Sequence, residues 1–333
     1  MNIPKPFLAT RLLGAVLCAG TLASAIAPAA LAQSYPSRPV RFLMTAPAGS
    51  SIDVIGRILA DKIRDPLGQA VVVVENRVGA GGTIATDAAA KAAPDGYTMV
   101  LSFNGPLAFG PHMYKKLPYD PIKDLAPVII TTSQPNLLAV NASLPVKTVK
   151  ELIDYTRKNP GRLNYGSIGA GSSSHLTMEL LKANENLFIV HIPYQGSPPA
   201  AASLAAGDTQ LLFTVPTALT PLIQAGRVRA IAVSSLMRYS LMPEIPTLAE
   251  GGVAKFEALA WNGVLFPAGT PRPIVERMNR EMDTALKSAD VRQKLAVAGL
   301  DPVGGTPEDL AKLMRSESEK WGPIIKRTGA TVD

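Results

Sequence analysis

Short, unbroken apolar runs recur along the chain, with turn-rich or amphipathic segments between them. The first four lie at 40–44, 71–74, 97–101 and 128–132. A strand buried on both faces shows continuous rather than alternating hydrophobicity. The pattern therefore predicts parallel sheets covered by helices on both sides. Behind the first run, Ile55, Ile58, Leu59 and Ile63 share one helical face, and Gly68 follows the expected helix end. Further strands are expected at 137–140, 163–165, 188–192, 210–215 and 228–233. An Ala-rich helix should open at Pro198-Pro199 and close at Gly207, and another should close at Gly226. Proline at a helix start and glycine just past its end carry that punctuation. From 271 to 328 the pattern is mostly helical, with Leu310, Met314, Trp321 and Ile325 as packing positions.

No fixed-period repeat or low-complexity tract interrupts this order. The expected fold class is α/β, in two lobes that are discontinuous in sequence. New strands begin after turn-rich stretches near 132–135 and near 256–260, which places the two crossovers there. The division is then 33–133 with 258–333 for lobe one, and 134–257 for lobe two. Open α/β sheets bind ligands beyond the carboxyl ends of their strands, so a cleft between two such sheets is the place to look for chemistry.

Residues 1–32 stand apart from this pattern. Lys5 and Arg11 form a basic start, 12–27 is an uncharged apolar run, and Ala30-Leu31-Ala32 has the form of a cleavage site. The run is too short and wrongly flanked for a membrane span. The reading is a secretory signal peptide cleaved after Ala32, leaving 301 of 333 residues as an exported, periplasmic chain. Cys18, the single cysteine, lies in this segment, and Leu17 before it departs from the small residue that a lipid-anchor motif requires. The exported chain is therefore cysteine-free and depends on core burial rather than disulfides. Its net charge falls from +7 to +5 with the loss of Lys5 and Arg11. The basic residues are scattered and aromatic residues make up only 5% of the chain, so no nucleic-acid surface is expected. Mild attraction for anionic metabolites is.

Two small-residue loops carry the candidate chemistry. Thr45-Ala46-Pro47-Ala48-Gly49-Ser50-Ser51-Ile52-Asp53 follows the first strand, and Gly166-Ser167-Ile168-Gly169-Ala170-Gly171-Ser172-Ser173-Ser174-His175 follows a later one. Each runs from a strand into a helix. Such a start leaves backbone N–H groups uncovered and sets hydroxyl donors beside them, which makes an anion cradle without fixed positive charge. Ser50 and Asp53 fit an S-x-x-D capping box, so Asp53 has two readings, a purely structural cap and a ligand contact. Ala48, Gly49, Ser50 and Ser51, with Thr45, are the candidates of the first loop. Ser167, Ile168, Gly169, Ala170, Gly171, Ser172 and His175 are those of the second. No lysine follows its glycines as a Walker loop needs, and its mid-chain place does not suit a dinucleotide fingerprint, so no cofactor is expected. Three histidines, His112, His175 and His191, complete no hydrolase order, and no paired spacing marks a metal. Met44, Phe103, Asn104, Tyr194 and Thr214 are placed at the cleft by strand-end position alone. Tyr194 also reads as a core tyrosine with its hydroxyl satisfied internally.

These motifs together resemble the Bug (Bordetella uptake gene) family, extracytoplasmic solute receptors of tripartite tricarboxylate transporters. Besides the two loops, the carriers are Tyr35-Pro36-Ser37-Arg38-Pro39-Val40, Val74-Glu75-Asn76-Arg77-Val78-Gly79-Ala80-Gly81-Gly82, Ala93-Pro94-Asp95-Gly96-Tyr97-Thr98, Lys116-Leu117-Pro118-Tyr119-Asp120-Pro121, Pro193-Tyr194-Gln195-Gly196 and Pro267-Ala268-Gly269-Thr270-Pro271. They run in the family's order over essentially the whole exported chain. The resemblance implies a periplasmic-binding-protein (Venus-flytrap, type II-like) fold that closes on a small carboxylated ligand. It also implies that the loop at 46–51 holds one carboxylate and the loop at 166–172 grips it from the other side. Two departures stand out. The family's first loop usually carries Pro-Gly-Gly, where this chain has Ala48, Gly49 and Ser50, and a second-lobe strand often carries acids, where it has Gln210 and Thr214. A carboxylate without an amino group is therefore expected.

The expected function is capture of a small organic carboxylate, a di- or tricarboxylate or an aromatic acid, by a monomer that delivers it to the membrane permease subunits of such a transporter. A ligand sensor feeding a signalling partner is the alternative within binding. A hydrolase-type enzyme using His175 is the alternative outside it.

Overall fold

Every apolar run read as a strand becomes one, and the strands separate into two sheets. The structure, a computed structural model, describes Met1 and residues 35–332. The signal-peptide reading, its cleavage site and Cys18 lie outside the described residues. In chain order the main elements are β1 (Val40–Met44), α1 (Ser51–Lys62), β2 (Val72–Asn76), α2 (Thr83–Ala90), β3 (Thr98–Phe103), β4 (Leu125–Pro135) and β5 (Leu137–Asn141). Then come α3 (Val149–Lys158), β6 (Asn164–Ser167), α4 (Ser173–Glu185), β7 (Val190–Pro193), α5 (Ser197–Ala206), β8 (Leu211–Thr214) and β9 (Val228–Val233). The chain finishes with β10 (Leu259–Pro267), α6 (Arg272–Lys287), α7 (Ala289–Val297), β11 (Pro302–Gly304) and α8 (Pro307–Thr328). One sheet has the order β11-β4-β10-β3-β1-β2 and the other β7-β6-β8-β5-β9.

The two sheets are mixed, not parallel as the apolar runs predict. In the first, β2 and β3 run parallel to β1, whereas β10 is antiparallel to both β3 and β4. In the second, β7 and β8 are parallel to β6, whereas β5 is antiparallel to β8 and β9. The reason lies in the connections. Most strands run toward the cleft between the sheets, but a strand that enters a sheet from the cleft must run away from it. β5 and β10 are those two strands. Strand β11, a short edge strand in a region expected to be helical, is bounded by Pro302 and Gly304 and gives no apolar run to read.

Passage between the sheets happens twice and at one place. Asn136 alone separates β4 from β5, and Ser234 directly follows β9. Asn136 N–H donates to Ser234 Oγ at 2.9 Å, and Ser234 N–H donates to the Asn136 carbonyl at 3.0 Å. Ser234 Oγ donates to the Ala258 carbonyl at 2.5 Å, just before β10 begins. The outgoing and returning chains are thus hydrogen-bonded to each other at the crossing.

A single apolar cluster joins the two sheets on one side, and separate clusters fill the outer layers. Helix α8 is central to the shared cluster. Leu310, Met314, Trp321 and Ile325 are all buried. The Trp321 ring stands 5.0 Å from that of Phe109, and the indole N–H groups of Trp321 and Trp261 both donate to Glu317 Oε2, at 3.2 and 3.3 Å. A capping box closes the start of α8, where Thr306 and Asp309 bond reciprocally. Replacing Trp321 by Ala removes the largest side chain of this helix from a fully packed site. The expected cost is about 3–5 kcal/mol, read as a fall in the denaturant midpoint with unchanged slope.

A charge-free cleft at four helix starts

Between the strand ends of the two sheets lies a cavity of about 300 Å³. Thr45 reaches it from the end of β1, Asn104 from the end of β3, Gln134 from β4 and Thr214 from β8. Ile52, Val78, Phe103, Ile168, Val215 and the Tyr194 ring supply apolar wall. None of the described residues that line it is Asp, Glu, Lys, Arg or His.

Four helices begin at this cavity. Ser50 and Ser51 open α1, Gly82 precedes α2, Ser173 opens α4, and Gly196 with Ser197 opens α5. First-turn N–H groups have no acceptor inside their own helix, and the aligned peptide dipoles leave partial positive charge there. The cavity is therefore electropositive without a cation. At α1 only half of the expected capping box forms. Ser50 Oγ accepts from Asp53 N at 3.3 Å, but the Asp53 carboxylate accepts instead from Gly49 N–H at 3.0 Å, Arg57 Nε at 2.9 Å and Asn76 Nδ2 at 3.0 Å. Burial works to raise the Asp53 pKa, and these donors outweigh it and hold the carboxyl below its usual value. With its oxygens so occupied, Asp53 shapes the loop and does not line the cavity.

The second loop is held in the same indirect way. Ser172 Oγ accepts from His175 N at 3.3 Å and donates to the Gly169 carbonyl at 2.6 Å. Gly171 N–H donates to His175 Nδ1 at 3.2 Å, and Gly169 N–H donates to Ser167 Oγ at 3.2 Å. Ser167 Oγ also lies 2.7 Å from His191 Nε2. The rings of Tyr165, His191 and His175 stack in that order, with centroids 4.7 and 4.1 Å apart. One buried imidazole, His175, and one half-buried, His191, thus pin the loop from behind.

Of the residues expected at the site, Thr45, Ser50, Ser51, Asn104, Ile168, Gly169, Ala170, Tyr194 and Thr214 line the cavity, as does Phe103. Ala48, Gly49, Asp53, Ser167, Gly171, Ser172 and His175 are outside its wall. Met44 packs toward Gly56 of α1. Tyr194 faces the cavity with its ring, while its hydroxyl lies 2.5 Å from Ser203 Oγ on α5. Sequence reasoning missed Gln134, Asn136, Ser197 and Asn262. Gln134 had a signal, since it is a polar residue closing a long apolar strand at the expected crossover. Ser197 had one too, as the residue before the Pro198-Pro199 helix start.

The lobes meet across the mouth of the cavity at glycines. A Cβ on Gly81 would fall 2.3 Å from the Ala170 carbonyl oxygen, and one on Gly196 would fall 2.5 Å from Pro47 Cδ. Neither position has room for a side chain at this separation of the lobes. Among the described residues no group of three or more His, Asp and Glu is placed to hold a metal, and no helix is long and apolar enough to cross a membrane.

Two α/β sheets joined at paired crossovers, with a cavity between their strand ends, define a periplasmic-binding-protein type of fold. Comparison with known proteins narrows the class. The TctC family model, described as the tripartite tricarboxylate transporter family receptor, matches residues 55–330, and the chain belongs to that family. Protein BugT of Bordetella pertussis (strain Tohama I) is 37% identical over 322 residues, covering 96% of this chain and 98% of the relative. Among solved structures, R. palustris Rpa4515 with adipate is 35% identical with a TM-score of 0.86, covering 89% of this chain and 99% of that one. MatC (Rpa3494) from Rhodopseudomonas palustris with bound malate is 30% identical with a TM-score of 0.82, covering 87% and 100%. The chain is a Bug-type solute receptor by fold and by family.

The two stacked histidines make acid stability a test of this architecture. Burial, helped by the nearby Lys182 ammonium, pushes His175 down to about 4. Burial, then His175 and Lys182 against the opposing pull of Glu179, pushes His191 down to about 3. Both rings are neutral in the fold and take up protons on unfolding below about pH 6.5. Stability should therefore fall as pH drops from about 6.5 toward about 4. Denaturant midpoints across this range should decline less steeply in His191→Gln than in wild type. Equal slopes would assign the acid sensitivity to other groups.

Proposed function

We propose that this protein captures a small organic carboxylate in the periplasm and presents it to the membrane subunits of a tripartite tricarboxylate-type transporter. The observation that carries the reading is the convergence of four helix starts on a cavity without a charged side chain. Uncovered N–H groups and helix dipoles suit an anion, and the absence of a lysine or arginine favours one that binds reversibly and is handed on. Adipate and malate in the two related structures are of this chemical class. A cavity of about 300 Å³ suits a ligand at the small end of the usual range. With no acid in the wall to balance an ammonium group, the ligand is a carboxylate without an amino group. Residues 1–32 serve as the export signal, cleaved after Ala32. The protein acts as a monomeric receptor and not as an enzyme: His175 Nδ1 is occupied by Gly171 N–H behind the wall.

Closure follows from the same geometry. An anion bound to helix starts of both lobes adds contacts that only the closed form makes, so binding shifts the population toward closure. Thermal unfolding of the exported chain against carboxylates, amino acids, sugars and phosphate esters tests the class. Saturation at about 100 times Kd adds about 2.7 kcal/mol, a rise of several degrees confined to carboxylates. A response only to neutral or phosphorylated compounds would leave the family with the fold and remove the carboxylate. Gly81→Ala tests closure. Its new methyl meets the Ala170 carbonyl of the other lobe, so affinity should fall tenfold or more, roughly, while the ligand-free midpoint shifts by only about 1–2 kcal/mol from the left-handed backbone. Calorimetric titration and ligand-induced compaction in solution scattering would both register the loss.

A further inference from the structure

Buried side-chain polar atoms without a hydrogen-bond partner among the described residues gather at one place. They are Asn104 Oδ1, Gln134 Oε1 and Nε2, Ser197 Oγ and Thr214 Oγ1. A sixth such atom, Asp87 Oδ1, has Lys91 Nζ at 2.6 Å. All four residues of the gathered set border the cavity, and none is more than 3% exposed. Native proteins pair nearly all their buried polar groups, so orphans concentrated on one wall mark a surface shaped for hydrogen bonds from outside the chain.

Three of these side chains form the floor of the cavity, at the chain crossing. Asn104 bonds to the Leu259 carbonyl, Gln134 pairs with Ala260 next in β10, and Thr214 pairs with Leu137 at the start of β5. Ser197 stands apart from them, at the start of α5 among the anion-binding groups. The floor differs in chemistry from the helix starts. Asn104 Nδ2 donates to Leu259 O at 3.0 Å, which fixes the amide and leaves Oδ1 as an unpartnered acceptor on a residue that borders the cavity. A carboxylate oxygen, itself only an acceptor, is repelled there. Gln134 offers an NH₂ group with two donors and an acceptor oxygen, and the Thr214 hydroxyl can serve as either.

The ligand must therefore bring a donor to Asn104. An ammonium group would meet four helix starts with no acid in the wall to offset it, so its burial is unfavourable. A hydroxyl satisfies the set. It donates to Asn104 Oδ1 and accepts from Gln134 Nε2 or the Thr214 hydroxyl. The geometry points to a hydroxy-carboxylate as the ligand class, with the carboxylate at the helix starts and the alcohol on Asn104, Gln134 and Thr214. This inference rests on the carboxylate reading of the cavity and narrows it.

Calorimetric titration of the exported chain with matched pairs tests it: L- and D-malate against succinate, 4-hydroxybenzoate against benzoate, and L-malate against L-aspartate. In at least one pair the hydroxy acid should bind about ten- to a hundredfold tighter than its deoxy partner, and malate tighter than aspartate. Gln134→Leu and Thr214→Val should each bring the hydroxy-to-deoxy ratio toward one. Gln134→Leu should also leave the ligand-free unfolding midpoint unchanged or raised, since the Gln134 side chain has no hydrogen bond to lose among the described residues. Deoxy acids that bind as tightly as their hydroxy partners, aspartate that outbinds malate, or a ratio unmoved in both variants would overturn the hydroxyl assignment and leave the carboxylate reading standing. Silence from every acid would overturn both.

Discussion

The double crossing of the chain at the cleft floor is the constraint on which the rest depends. Because β4 passes into β5 through Asn136 and the return reaches β10 through Ser234 and Ala258, both passages share one hydrogen-bonded point. Strands that approach this point and strands that leave it must run in opposite directions, which makes each sheet mixed. The same point gathers strand ends from both sheets around one cavity. The crossing and the cavity floor are therefore the same piece of structure.

Recognition without charge follows from burial. A lysine or arginine in a small enclosed cavity would carry a large desolvation cost whenever the cleft closed without an anion. Helix starts avoid this, because their partial charges belong to backbone groups that are already ordered. Ser167, Ser172, Asp53 and the two stacked histidines are spent on holding the loops, and the surfaces they hold present amides to the cavity. Preorganisation of this kind reduces the ordering cost that binding would otherwise meet.

The proposed closure depends on close backbone approach. Gly81 against Ala170 and Gly196 against Pro47 bring the lobes nearer than any side chain would permit. Gly81 also lies in the 74–82 motif, so its place there has a steric reason in the packing of one lobe on the other. At the floor, Asn104 is tied to the returning chain by its bond to the Leu259 carbonyl, and the proposed hydroxyl selectivity rests on that bond.

Much of this was legible in the sequence, and the physical reasons for the rest are specific. Apolar runs marked the strands to within a few residues, because burial on both faces needs unbroken hydrophobicity. The loops from Thr45 to Asp53 and from Gly166 to His175 announced helix starts, because small residues and cap formers behave the same way wherever they occur. Strand direction was not legible, since an apolar run is identical read toward the cleft or away from it. The division of labour within the loops was hidden as well: Ser50 and Ser172 look alike in sequence, yet only Ser50 borders the cavity, while Ser172 turns its hydroxyl to Gly169. Gln134, Ser197 and Asn262 came to the cavity by register and crossing, which pair residues far apart in the chain. The sequence determined local conformation and the family; the tertiary structure alone decided which polar atoms were left unpaired, because that depends on which partners packing brings within reach.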